Sequence, residues 1–347
     1  MILPQFYRFG GVCNAGHSNV LHSPKAASAV GRATPLLCKV VAGLAVLAAW
    51  VCPLQAGTVY VPNASFESPV VPIDLTPAIP DMDYWQKAPQ PIWYDPIYFG
   101  GYPWDTLIGT FYNFHTTPPP DTFIDNCDGS QAAFFFAIPE VAVFQDYNSI
   151  YGTNTIPSHA FNAMFNIGSA YTLTVAVIGG GGGMTNGVSL ELSLYYRDAS
   201  SNMVTVAATT ITNTADLFPT NTHLVDFSVQ VPGVLPTNAW ASQNIGVRIT
   251  STVGFGLMGG YWDIDNVRLT EIVLPALTNP QVTNQQFSMT LRSEPGLRFE
   301  LLAHTNLSSP LSNWTSLGTV TNTTGTTNFV DPATILDHRF YRARQLQ

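Results

Sequence analysis

The sequence predicts an all-β protein, a β-sandwich followed by a smaller β-sandwich. Three observations carry this. Short runs such as Tyr171 to Ile178 (YTLTVAVI) and Val188 to Arg197 (VSLELSLYYR) alternate apolar and polar residues with a period of two. Turn residues separate those runs at the spacing of a sandwich. Charged residues make up only 10% of the 347-residue chain against 46% apolar, a balance that builds a core rather than a disordered coil.

The elements follow in order. Residues 1–56 read as an export signal: Lys25, Arg32 and Lys39 precede the apolar run Val40 to Val51, with no acidic residue among them. Twelve apolar residues suit a signal core and fall short of the roughly 20 that cross a bilayer. Cleavage is expected after Ala56, giving a secreted chain, extracellular or in the cell envelope, with no integral membrane span. Three of the four cysteines lie in this segment, so Cys127 is left without a disulfide partner.

The first domain is expected over 57–272. Its strands are 57–62, 132–137, 171–178, 188–197, 204–211, 224–231, 245–250 and 262–269. Residues 69–125, rich in Pro and aromatics, read as long loops around one or two short strands. The glycine run 179–183 reads as a flexible hairpin loop. Residues 273–279, with Pro275, form the expected linker. A small module over 280–347 follows, with strands at 287–291, 297–303, 314–320, 326–330 and 340–344, and Trp314, Phe340 and Tyr341 in its core.

Charge narrows the partners. Residues 57–274 hold four basic residues against 18 acidic ones, a formal −14; residues 275–347 hold five against four, +1. No basic cluster is present to hold phosphates, so nucleic acid and anionic membrane are excluded as partners.

Two segments bracket the first domain: Asn63-Ala64-Ser65-Phe66-Glu67 after the first strand, and Asp263-Ile264-Asp265-Asn266-Val267-Arg268-Leu269 in the last. Trp85, Asp128-Gly129-Ser130-Gln131-Ala132 and Ala170 to Val175 lie between them in order. This arrangement resembles the galactose-binding-like jelly roll of bacterial carbohydrate-binding modules and of secreted proteins with sorting tails. The first and last strands of such a fold lie together, which would bring Glu67 to Asp265. Two buried carboxylates repel unless a cation joins them. The resemblance implies a structural Ca²⁺ held by Glu67 and Asp265, with Asp128 as a third ligand. The competing expectation is that each carboxylate caps a turn or bonds backbone amides.

The resemblance also implies a neutral glycan or polysaccharide as partner. Flat rings stack on sugar C–H faces, and Trp93, Tyr94, Tyr98, Tyr102 and Trp104, set among Pro and Gly, are the expected ligand-binding residues. Trp85 is expected in the core. No Gly-x-Ser-x-Gly elbow, HExxH or zinc spacing occurs. The expected function is therefore non-catalytic carbohydrate binding. A structural or adhesive surface protein that binds another protein is the first alternative, and a polysaccharide hydrolase the second. In the second module, Glu294-Pro295-Gly296-Leu297-Arg298-Phe299, Thr305-Asn306-Leu307, Asn313-Trp314 and Arg339-Phe340-Tyr341-Arg342 resemble a small β module of exported Verrucomicrobia-type proteins.

Overall fold

A computed structural model describes residues 56–346, apart from 73–77, 116–122, 221, 285 and 332–338. The expected export signal lies outside the described residues, save Ala56. The chain divides into a larger unit, Leu54–Pro275 with Arg292–Glu294, and a smaller one, Ala276–Leu291 with Pro295–Gln347.

The larger unit holds twelve strands: β1 (Gly57–Val59), β2 (Ala78–Ile79), β3 (Gln86–Lys87), β4 (Ile108–Tyr112), β5 (Gln131–Phe136), β6 (Ala142–Gln145), β7 (Ser169–Gly181), β8 (Ser189–Arg197), β9 (Met203–Thr212), β10 (Val225–Val231), β11 (Gly246–Ser251) and β12 (Tyr261–Val273). One sheet runs β10-β7-β12-β5-β4-β2, with β1 also paired to β12; the other runs β3-β6-β11-β8-β9. All the pairings are antiparallel.

The alternating runs explain the layers. Leu173, Val175 and Val177 of β7, Leu190, Leu192 and Leu194 of β8, Val247 and Ile249 of β11, and Trp262, Ile264, Val267 and Leu269 of β12 are buried in one apolar cluster between the sheets. Burial of such side chains stabilises by about 1.5–3 kcal/mol each. First and last strands do meet: Gly57 pairs with Glu271 and Val59 with Leu269, and the Val267 amide donates to the Ala64 carbonyl.

Three expectations are corrected. Glycines 179–181 continue β7 rather than opening a flexible loop. The linker expected over 273–279 is mostly strand, because β12 runs to Val273 and β13 (Ala276–Thr283) begins three residues later. The first strand, expected over 57–62, stops at Val59, since the next residues turn into the Asn63 loop.

The smaller unit adds β14 (Gln286–Arg292), β15 (Arg298–His304), β16 (Thr315–Thr321), β17 (Thr326–Asp331) and β18 (Phe340–Leu346). They form two three-stranded sheets, β13-β14-β17 and β16-β15-β18. Leu291, Phe299, Leu301 and Ala343 make its core. Trp314 is buried, as expected, but Phe340 and Tyr341 are only half-buried. Tyr341 instead stacks on Phe287 at 4.4 Å and donates to Asp331 at 2.9 Å.

Lys87, the one lysine of residues 57–347, has an architectural task. Its ammonium donates to the Pro80, Asp105 and Ile108 carbonyls, tying β3 to both ends of the aromatic segment. Burial lowers its pKa to about 8, against the raising pull of Asp105 and Asp81. Lys87→Met keeps the stem and leaves three carbonyls without their donor. It should cost about 2 kcal/mol of stability, read as a lower denaturation midpoint in urea. An unchanged midpoint would refute this role.

Candidate functional site

The NASFE segment is a turn with a core anchor. Asn63 holds a left-handed φ of 50°, accepts from the Ser68 amide at 3.0 Å and donates to the Ser68 and Asp83 carbonyls. Phe66 is fully buried and its ring lies 5.5 Å from that of Trp85, which is core as expected. Glu67 is thereby aimed at the turn before β5. Its Oε1 accepts from the Ser130 and Gln131 amides at 2.8 and 2.7 Å, and its Oε2 from the Ser130 hydroxyl at 3.0 Å.

Asp265 reaches the same turn from β12. Its Oδ2 accepts from the Asp128 amide at 2.6 Å and its Oδ1 from the Asn266 amide at 2.7 Å. Asp128 Oδ2 accepts from the Ser65 hydroxyl at 2.6 Å. Glu67, Asp128 and Asp265 all bear on Cys127, whose thiol pKa rises through burial first and these three carboxylates after it. The structure thus gathers the three residues expected to hold Ca²⁺ around one turn. Protein donors nevertheless occupy five of their six oxygens, as just described. Among the described residues no group of three His, Cys, Asp or Glu side chains is placed to hold a metal ion. This donor set fits carboxylates bonding amides, the competing expectation.

The five expected ring residues do not form one open platform. Tyr94 and Trp104 are buried; the Tyr94 hydroxyl donates to the Tyr102 carbonyl at 2.8 Å and the Trp104 indole to the Ala88 carbonyl at 2.7 Å. Trp93 is half-buried against Tyr94, Phe99, Trp104 and Phe255, with its indole on Glu140 at 3.0 Å. Only Tyr98 and Tyr102 are open to solvent, at 82% and 55% exposure. The physical reason is that a long loop must bury its own apolar rings.

A different cluster stands on the outer face of the larger sheet. The alternation that turns Trp262 and Ile264 inward turns Tyr261, Asp263 and Asp265 outward. Asp263 lies between Phe134 on β5 and Ile178 on β7. Phe134 and Phe136 meet edge to face at 6.1 Å, Phe136 lies 6.3 Å from Tyr261, and Tyr102 lies 6.2 Å from Phe136. Two glycines make room for these rings. A Cβ on Gly109 would stand 2.8 Å from the Phe134 ring, and one on Gly181 would stand 2.4 Å from the Tyr261 ring. On the same face, Ile124, Ala132, Ala176, Ile178 and Leu224 form a small apolar cluster of their own.

The two aspartates on this face are treated differently. Both pKa values are raised to about 7 by burial, but Asp265 also receives two amides and the Cys127 thiol, which pull its value down. No hydrogen-bond donor among the described residues reaches the Asp263 carboxyl, although crowding protein atoms leave it only partial contact with water. Sequence reasoning missed Asp263, Phe134, Phe136 and Tyr261. The signal was present in Trp262-Asp263-Ile264-Asp265, whose period of two sets both acids opposite a core tryptophan.

No family model matches the chain, and no curated protein matches it. Among solved structures, a cyclase from Fischerella sp. TAU is 19% identical over 63% of this chain and 99% of that one, with a TM-score of 0.43. The Stig cyclase Fisc from Fischerella sp. TAU, in complex with an indole compound, is 18% identical over 63% and 100%, with a TM-score of 0.42. The CBM22-1 xylan-binding domain of Paenibacillus barcinonensis Xyn10C is 9% identical over 47% and 81%, with a TM-score of 0.27. The expectation of a non-catalytic carbohydrate-binding protein is not borne out: the cyclases score above the xylan-binding module. Likeness at this level concerns the β-sandwich alone. Among the described residues no helix is long and apolar enough to cross a membrane.

The titration of Asp263 has a stability consequence. Its folded pKa of about 7 stands above the roughly 3.9 of an unfolded aspartate. Between those values the folded state holds the extra proton, so stability falls as pH rises through this window, and the full cost is felt above the folded pKa. Every tenfold difference in proton affinity between the folded and unfolded chain is worth about 1.4 kcal/mol. Asp263→Asn, which mimics the protonated acid, should leave Tm unchanged near pH 4 and raise it by several degrees at pH 8. Equal Tm differences at both pH values would refute the burial argument.

Proposed function

We propose that the larger unit is an enzyme domain in which Asp263 is the proton donor to an apolar, ring-bearing substrate lying against Phe134, Phe136 and Tyr261. One observation carries this reading: an unpaired carboxyl, held among aromatic rings, keeps its proton near neutral pH. An unpaired buried carboxyl contributes nothing to stability, and its cost is tolerated where chemistry uses it. A general acid works best with a pKa near the working pH, and Asp263 meets that condition.

The surrounding rings add a second contribution. As the proton leaves Asp263, positive charge grows on the substrate. The π faces of Phe134, Phe136 and Tyr261 stabilise such charge by about 0.5–2 kcal/mol each where water is displaced. The formal −14 of residues 57–274 acts in the same direction at longer range. Asp265, held by amides, is a positioning residue: it fixes β12 against the turn before β5 and so sets where Asp263 stands. Export through residues 1–56 belongs to the same proposal and places the chemistry outside the cytoplasm.

The test is turnover in heavy water with a panel of neutral aromatic and alkenyl substrates, followed as deuterium incorporation by mass spectrometry. Asp263→Asn should lower the rate by roughly 10²–10⁴-fold while leaving the fold intact. The wild-type rate should fall as pH rises through 7. Turnover retained by Asp263→Asn, or a rate that climbs through pH 7, would overturn the assignment.

A further inference from the structure

We propose that the outer face of the five-stranded sheet holds a second site, an anion subsite at Arg248 and Arg197 that takes a ligand bearing a carboxylate. The larger unit up to residue 274 has only four cations. Lys87 is consumed by three carbonyls, and Arg268 pairs with Asp226. Arg248 has neither a hydrogen bond nor an ion pair from its side chain to any described residue. It nevertheless sits mid-strand on β11, between Phe144 of β6 and Ser193 of β8. Its inward neighbours Val247 and Ile249 are fully buried, so the guanidinium faces away from the core.

Arg197 comes to the same place from the end of β8. Its guanidinium carbon stands 5.7 Å from the centroid of the Phe144 ring, the ring that Arg248 opposes across the strands. Both arginines also act electrostatically on the Tyr195 hydroxyl, which places their charges in one neighbourhood. Arg197 is held rigidly. Its Nε donates to Asp146 Oδ2 at 2.7 Å and its Nη1 to the Ser201 carbonyl at 2.9 Å. Asp146 is itself buried and fixed by the Tyr195 hydroxyl at 2.6 Å and the Asn148 amide at 2.8 Å. Those bonds leave Nη2 of Arg197 without a partner among the described residues.

A cavity of about 70 Å³ opens beside Arg197, lined also by Asp146, Tyr195, Asn148 and Asn244. The unpaired guanidinium of Arg248 can take a carboxylate in a planar fork, and the free Nη2 of the fixed Arg197 adds one further donor at little entropic cost. Glu191, on the same face of β8, makes no ion pair with Arg248 and leaves the cation available. This site lies on the opposite face of the sandwich from Asp263 and does not depend on the reading given for it.

The test titrates the full-length protein with glucuronate and with benzoate, using glucose and benzyl alcohol as uncharged counterparts, and reads Kd by saturation-transfer NMR. At least one acid should bind while its counterpart does not, and binding should weaken as salt is raised. A response to glucuronate alone points to a sugar acid, and a response to benzoate alone to an aromatic acid. Arg248→Gln removes a side chain that bonds nothing in the fold, so it should fold normally and bind the acid about tenfold more weakly. Arg197→Lys keeps the charge on Asp146 but loses the free Nη2 donor, and should also weaken binding. No binding of either acid, equal binding of the uncharged counterpart, or full binding by Arg248→Gln would each overturn the proposal.

Discussion

β12 has two faces to satisfy at once, and the rest of the larger unit is arranged around that constraint. It pairs with β1, β5 and β7, so it is the strand that closes the sheet from first residue to last. Its inward face supplies Trp262, Ile264, Val267 and Leu269 to the core. Alternation from Trp262 to Ile264 turns Asp263 and Asp265 outward, and the irregularity between Asp265 and Arg268 returns Val267 and Leu269 to the core. The outer face of the sheet must therefore house two carboxyls. One is placed where backbone amides converge, and the other beside Phe134 and Ile178, where no hydrogen-bond donor among the described residues reaches it. Local chemistry thus makes the first a structural tie and the second an unpaired acid.

The structural tie orders the entry of the chain. Glu67 and Asp265 hold opposite sides of the turn 128–131, so the segment after β1, the start of β5 and the middle of β12 become one unit. Carboxylates that accept backbone N–H bonds in place need no cation to neutralise their repulsion, because the amide dipoles do that work. The same logic governs the aromatic segment. Its rings pack on one another, and Lys87 ties its two ends to β3. Rings that a sugar-binding surface would have displayed are spent on holding a long loop together.

Much of the fold was legible in the sequence, for reasons that can be named. Long strands of the two sheets, such as β7 and β8, carry seven or more alternating residues, so their pattern is unambiguous. The pairing of first with last strand followed from the NASFE and DIDNVRL segments. β2, β3 and β4 fall within 69–125, read as loops around one or two short strands, and β6 has no counterpart among the expected runs; none of the four exceeds five residues. Segments that short have too few positions to show a period, and they lie among prolines and aromatics whose composition reads as loop. β13 was hidden by Pro275, which stands just before it. At the candidate site, the gathering of Glu67, Asp128 and Asp265 was legible, while their satisfaction by amides was not, because backbone donors leave no mark in side-chain identity. The ring wall around Asp263 was hidden for another reason. It is assembled by register between β5, β7 and β12, a property of pairing that single runs do not contain.

Asp263 carries the central claim: it is an unpaired carboxyl that keeps its proton near neutral pH. The direct measurement is a titration of its side-chain carboxyl carbon by ¹³C NMR in the intact protein. A midpoint near 7, lost in Asp263→Asn, is the predicted result. A midpoint near the roughly 3.9 of a free aspartate would mean that the group is solvated or paired after all, and would contradict the assignment of this face as an acid site.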